Sequence, residues 1–122
     1  MNAILNLTQH AASPAQLEAG VIDLMGELRE EALRHLTFDT LPTGSDIVRK
    51  ARCLAAIASH LRVPSAMIGG APYLMGPLEA ALNAVGVKPL YAFSVRESVE
   101  NTLPDGKVVK TAVFRHLGFY EA

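Results

Sequence analysis

The sequence predicts an α/β fold: an open sheet of three parallel strands completed by a C-terminal antiparallel hairpin strand, with helices on the faces. Three observations carry that expectation. Short apolar runs alternate with stretches whose apolar residues recur at helical spacing. One strong turn signal near the C-terminus is flanked by two β-prone runs. Half of the 122 residues are hydrophobic and only 19% are charged, so the chain holds enough apolar surface to close a core. No repeat, low-complexity tract or long linker divides it, and residues 1–122 read as one domain.

The run Ala3–Thr8 is nearly continuous in hydrophobicity, which suits a strand buried on both faces. Ser13-Pro14 reads as an N-cap with proline at the first helical position, opening a short helix that Gly20 closes. A second helix is expected over Glu27–Leu36, with Leu28, Ala32, Leu33 and Leu36 on one face. Thr37–Gly44 contains Pro42 and Gly44 and reads as loop. Ser45 or Asp46 then caps the clearest helix, where Ile47, Ala51, Leu54, Ala58 and Leu61 form one buried stripe. Cys53 lies beside that stripe and, being alone, has no disulfide partner in the chain.

Val63-Pro64 breaks this helix, and Ala66-Met67-Ile68 follows as a short strand ending in Gly69-Gly70. Because Pro77 has no amide hydrogen, the next helix is expected to start near Leu74–Gly76 and to stop at Gly86, leaving Gly69–Tyr73 as loop. Leu90–Ser94 is the third strand. Leu103-Pro104-Asp105-Gly106 turns a hairpin between Glu97–Thr102 and Lys107–Phe114. Its pairing places Arg115 opposite Ser94 and His116 opposite Phe93, unless a bulge shifts it by one residue.

Charge narrows the function classes. The formal net charge is -1, against a protein that coats duplex nucleic acid or anionic membrane by bulk charge. Residues 1–45 hold six acidic against two basic residues, and the remainder six against nine. The basic excess reads either as a preference for an anionic partner or as helix faces that complement each other. No stretch of about 18 apolar residues and no signal-peptide start is found, so a cytoplasmic protein with no membrane partner is expected. Four histidines without paired short spacing do not resemble a metal-ligand set, and neither a metal nor a cofactor is expected.

In open α/β sheets ligands collect at the carboxyl ends of the parallel strands. Three segments are expected there: Thr8-Gln9-His10, Gly69-Gly70-Ala71-Pro72-Tyr73 and Ser94–Ser98. Gly69-Gly70 before a helix can present backbone amides to a phosphate or carboxylate, although it matches neither common glycine-rich phosphate motif and also permits a plain tight turn. His10 is the site histidine, able to move protons near neutral pH, or else bonds a loop carbonyl. Arg96 and Arg115 offer bidentate contacts to phosphate oxygens, or pair within the hairpin; Arg96 adjoins Glu97, and Lys110 and Arg115 lie across from them. Ser94 and Ser98 are candidate ligand contacts without a nucleophile elbow around them. Tyr73 and Tyr91 suit either stacking on a base or plain packing. Either Arg115 or His116 faces the site, since alternation along a strand allows only one of them.

The segments Asn6–His10, Met67–Leu74, Tyr91–Val99 and Val113–Phe119 together resemble a small family of uncharacterised bacterial and phage-associated proteins. At fold level the arrangement is also similar to CRISPR-associated Rossmann-like nucleotide-sensing domains and the compact ring nucleases related to them. That resemblance implies a homodimer binding a cyclic oligonucleotide on strand-end loops. The expectation is therefore a Rossmann-like protein that binds a nucleotide or another small phosphate-bearing anion. In its catalytic form it is a metal-independent phosphodiesterase with His10 as general acid or base and Arg96 or Arg115 stabilising the phosphoryl charge. The alternative is a non-catalytic interaction or oligomerisation module.

Overall fold

The computed structural model describes residues 2–122. The chain runs β1 (Ile4–Leu7), α1 (Pro14–Glu18), β2 (Val21–Ile22), α2 (Gly26–Leu36), α3 (Gly44–Leu61), β3 (Ser65–Ile68), α4 (Pro72–Ala84), β4 (Lys88–Thr102), β5 (Val108–Glu121). These strands form one mixed open sheet in the order β2-β1-β3-β4-β5. The first four are mutually parallel and β5 returns antiparallel along β4. The α/β class with an open sheet holds. The expected set of three parallel strands gives way to four, because Val21–Ile22 pairs with Ile4 and Leu5. Two residues are too short to show a strand's alternation in sequence.

Burial explains the layering. Successive strand residues point to opposite faces, and in β1 both faces are covered. Leu5 and Leu7 join Ala66 and Ile68 of β3 in a core with Leu36 of α2, Leu54 of α3 and Leu74, Leu78 and Leu82 of α4. Ile4, Val21 and Met67 form a smaller cluster on the other face, closed by Ala12, Leu90 and Phe119. The three longer helices thus contribute to one core.

The helices depart from expectation at three points. Thr43, not Ser45 or Asp46, caps α3: its hydroxyl accepts the Asp46 amide at 3.2 Å while the Asp46 carboxylate accepts the Thr43 amide at 3.2 Å. This reciprocal box places Ser45 and Asp46 inside the first turn. Leu61 falls off the buried stripe and is 38% exposed, since the helix ends there with Arg62 in the left-handed region at φ 56°. Finally α4 starts at Pro72, at the first helical position where its missing amide hydrogen is harmless, and runs on through Pro77. The burial of Leu74, Leu78 and Leu82 along one stripe offsets the backbone bond that Pro77 cannot make.

The C-terminal strands are longer than expected. β4 is continuous from Lys88 to Thr102, so Ser94–Ser98 is strand and not a loop at a strand end. The turn spans one residue more, with Thr102 opposite Val108, and a bulge at Phe93/Ser94 changes the register again. Arg115 therefore faces Val95 and His116 faces Ser94, one residue away from the expected pairing.

Candidate functional site

The order of the strands locates the site. From β1 the chain moves sideways to β2, then crosses back to enter β3 on the other flank of β1. The exits of β1 and β3 therefore diverge, and a crevice opens where the order reverses. A cleft of about 560 Å³ lies there, with Thr8, Gln9 and His10 after β1 on one wall and Gly69 and Gly70 after β3 on the other. Ser13 before α1, Gln16 of α1, and Tyr91 and Ala92 of β4 add to the lining.

The β1 wall is held by a buried polar residue. Asn6 has no exposed surface, yet every hydrogen-bonding position of its side chain is used. Its Nδ2 donates to the His10 carbonyl at 2.8 Å and to Asp23 Oδ1 at 2.8 Å. Its Oδ1 accepts the Thr8 amide at 3.0 Å and the Thr8 hydroxyl at 2.7 Å. Asp23, just past β2, accepts the Ala12 amide at 3.2 Å on both carboxylate oxygens. From α2, Arg29 donates to the carbonyls of Thr8 at 2.9 Å and Gln9 at 3.1 Å. The loop from Thr8 to Ala12 is thus pinned at its carbonyls and amides.

Most polar side chains around the cleft are already engaged. Gln9 Nε2 reaches away to the Leu36 carbonyl and the Thr37 hydroxyl. Ser13 and Gln16 cap each other's backbone at the start of α1. The His10 imidazole forms no hydrogen bond among the described residues and is exposed at the rim. No lining residue carries a formal charge. What the cleft offers a ligand is therefore the His10 imidazole, glycine backbone, and the Ser13 hydroxyl and Gln16 Nε2 donors that the cap leaves over.

Gly69 and Gly70 differ in what they permit. Gly70 has φ +139°, a conformation that L side chains rarely adopt. At Gly69 a Cβ would meet only Thr8 Cγ2, at 3.6 Å, an ordinary contact. Gly70 is needed for the turn itself, whereas Gly69 keeps the cleft wall free of a side chain.

The remaining candidates lie elsewhere. Ala71 is the N-cap of α4 and packs against the main core. Tyr73 stacks edge-on against Phe38 with ring centres 5.0 Å apart, away from the cleft lining. Ser94, Arg96 and Ser98 sit within β4 opposite His116, Phe114 and Ala112, outside the lining because the strand continues where a loop was expected. Arg115 is held by Glu97, Nε to Oε1 at 3.0 Å, one of the pairings open from the sequence. His116 packs edge-on against Phe119, and its Nδ1 is buried without a hydrogen-bond partner. Tyr91 contributes to the lining and donates its hydroxyl to Glu79 Oε2 at 2.5 Å. Burial, reinforced by that carboxylate, pushes its phenol up to about 12.

Sequence reasoning missed Asn6, Asp23 and Arg29 as the residues that shape the loop. A signal existed for Asn6: a lone amide within an apolar run is a polar group that must find partners once buried. Asp23 and Arg29 gave none, because their roles depend on β2 and α2 lying beside β1.

Among the described residues no three His, Cys, Asp or Glu side chains cluster as a metal site, and no helix is long and apolar enough to cross a membrane. Compared with known proteins, residues 2–120 match the family model described as the uncharacterized protein MJ1673 family. No curated protein and no solved structure matches the chain.

Proposed function

The chain belongs to the uncharacterised MJ1673 family, and on the geometry of its cleft we propose that the crevice between the exits of β1 and β3 binds a small phosphate-bearing ligand, a nucleotide. The observation that carries this reading is the convergence of His10 and Gly69-Gly70 on one crevice where the strand order reverses. Backbone amides beside a helix start suit phosphate oxygens, and an imidazole adds a donor or a proton acceptor. The view of the sheet as Rossmann-like supports the reading by analogy of fold alone. The proposal takes residues 1–122 as one cytoplasmic domain that works as a homodimer.

In its catalytic form the reading is metal-independent phosphodiester cleavage, with His10 moving the proton. Arg96 and Arg115 no longer belong to that mechanism, because neither lines the cleft and Arg115 is engaged by Glu97. Charge on a phosphoryl group would fall to the glycine turn.

Titration calorimetry against mono-, di- and cyclic nucleotides tests the proposal. Heat is expected with at least one of them, weakened tenfold or more by His10→Ala and unchanged by Arg96→Ala. Absence of heat with every nucleotide overturns it. Chromatography of the same mixtures after prolonged incubation separates binding from cleavage.

A further inference from the structure

Beyond Leu90 the sheet narrows to a two-stranded ribbon, with β5 as its outer strand. Two strands alone are marginal in water. This ribbon nonetheless exposes Val99, Val109, Val113 and Leu117, and Phe114 is 76% exposed. An apolar surface of that extent marks an interaction site.

The free edge of β5 is only weakly guarded. Natural edge strands are blunted by brevity, by proline or by outward charges. The opposite edge obeys this rule, since β2 has only two residues. β5 runs for 14 residues without a proline. Its two central cations are drawn inward by carboxylates of β4: Lys110 Nζ lies 3.7 Å from Glu100 Oε1, and Arg115 Nε lies 3.0 Å from Glu97 Oε1.

We propose that β5 is a homodimer seam, in which two copies pair β5 to β5, antiparallel across a two-fold axis, and join their sheets into one. Three observations favour a second copy as the occupant. A long antiparallel edge is self-complementary about a two-fold axis. The ribbon from Phe93 to Gly118 carries four cations against three carboxylates, a near-balance that selects no strongly charged partner. A register centred on Thr111 sets Val109 opposite Val113 and Val108 opposite Phe114, matching apolar with apolar.

The seam is independent of the cleft, and its test uses no ligand. Light scattering of the purified chain at micromolar concentration is expected to give a dimer. V109E/V113E, which sets carboxylates opposite one another, is expected to give a folded monomer, and I22E on the short edge to leave the dimer intact. Facing residues of an antiparallel pair have Cα atoms roughly 4.5–5.5 Å apart, within reach of a disulfide. Of single cysteines placed in turn at positions 109 to 113 of a C53S chain, the one at 111, which faces its own copy, is therefore expected to cross-link two copies on oxidation, whereas those at 109 and 113, about four residues from theirs, are not. A monomeric wild type, a dimer that survives V109E/V113E, or the absence of a cross-link at all five positions overturns the seam. Where V109E/V113E fails to fold, the cysteine series decides alone.

Discussion

The side-chain amide of Asn6 holds the carboxylate of Asp23 at 2.8 Å and so ties the exits of two neighbouring parallel strands together beneath the cleft. Asn6 is wholly buried, and the same amide fixes the His10 carbonyl. Replacing it leaves the Thr8 amide and the His10 carbonyl without their partner. Asn6→Ala is expected to lower the free energy of unfolding by about 2–3 kcal/mol. Asp23→Ala, at a half-exposed position, should cost about 1 kcal/mol. Urea denaturation of the two variants checks the order; equal losses would show that the amide is not the keystone of the loop.

Gly69 and Gly70 are expected to part company when each gains a methyl group. Gly70→Ala forces a side chain onto φ +139° and should destabilise by about 1–3 kcal/mol. Gly69→Ala meets only Thr8 Cγ2 at 3.6 Å and should leave stability within about 0.5 kcal/mol, while weakening nucleotide binding by narrowing the cleft. Paired melting and calorimetric measurements separate the two effects.

Pro77 stands inside α4, where the amide hydrogen it lacks would bond the Tyr73 carbonyl. Pro77→Ala restores that bond and removes the ring's clash with the preceding turn. The freer unfolded chain and the lost ring contacts offset part of the gain. A net stabilisation of about 1 kcal/mol is expected, read as a higher denaturation midpoint with an unchanged slope.

Tyr91 supplies a test in alkali. Burial and its bond to Glu79 hold the folded phenol at about 12, against 10.0 for an ordinary tyrosine. As pH rises past 10 the unfolded chain releases this proton before the folded one does, so the folded state binds more protons and stability falls with pH. The contribution is complete below pH 10 and is lost by about pH 12. Spectrophotometric titration should show one phenol ionising near 12, a step that Tyr91→Phe removes. The stability gap between wild type and that variant should shrink as pH rises through the same window.

Much of the local structure was legible because it depends on near neighbours. The Ser13 cap, which the structure closes with Gln16, and the helical repeat of Ala51, Leu54 and Ala58 all involve contacts three or four residues apart. The pairing of His10 with Gly69-Gly70 was also readable, since each follows a short apolar run that suits a buried strand. The placement of Ser94, Arg96 and Ser98 was not. A run of alternating residues such as Val95, Glu97 and Val99 signals a strand whether or not a third strand covers it, and only the tertiary structure shows that β3 stops supporting β4 at Leu90.

By itself the sequence determined the α/β class, the main helices and strands, and the two loops that meet at the cleft, because periodicity and turn chemistry act over a few residues. Only the tertiary structure decided the strand order, the insertion of β2 beside β1, the network around Asn6 and the open edge of β5. Those features arise from pairings between residues far apart in the chain, such as Ile4 with Val21 and Asn6 with Asp23. Their partners are chosen by what the assembled core leaves beside them, and no local pattern records that choice.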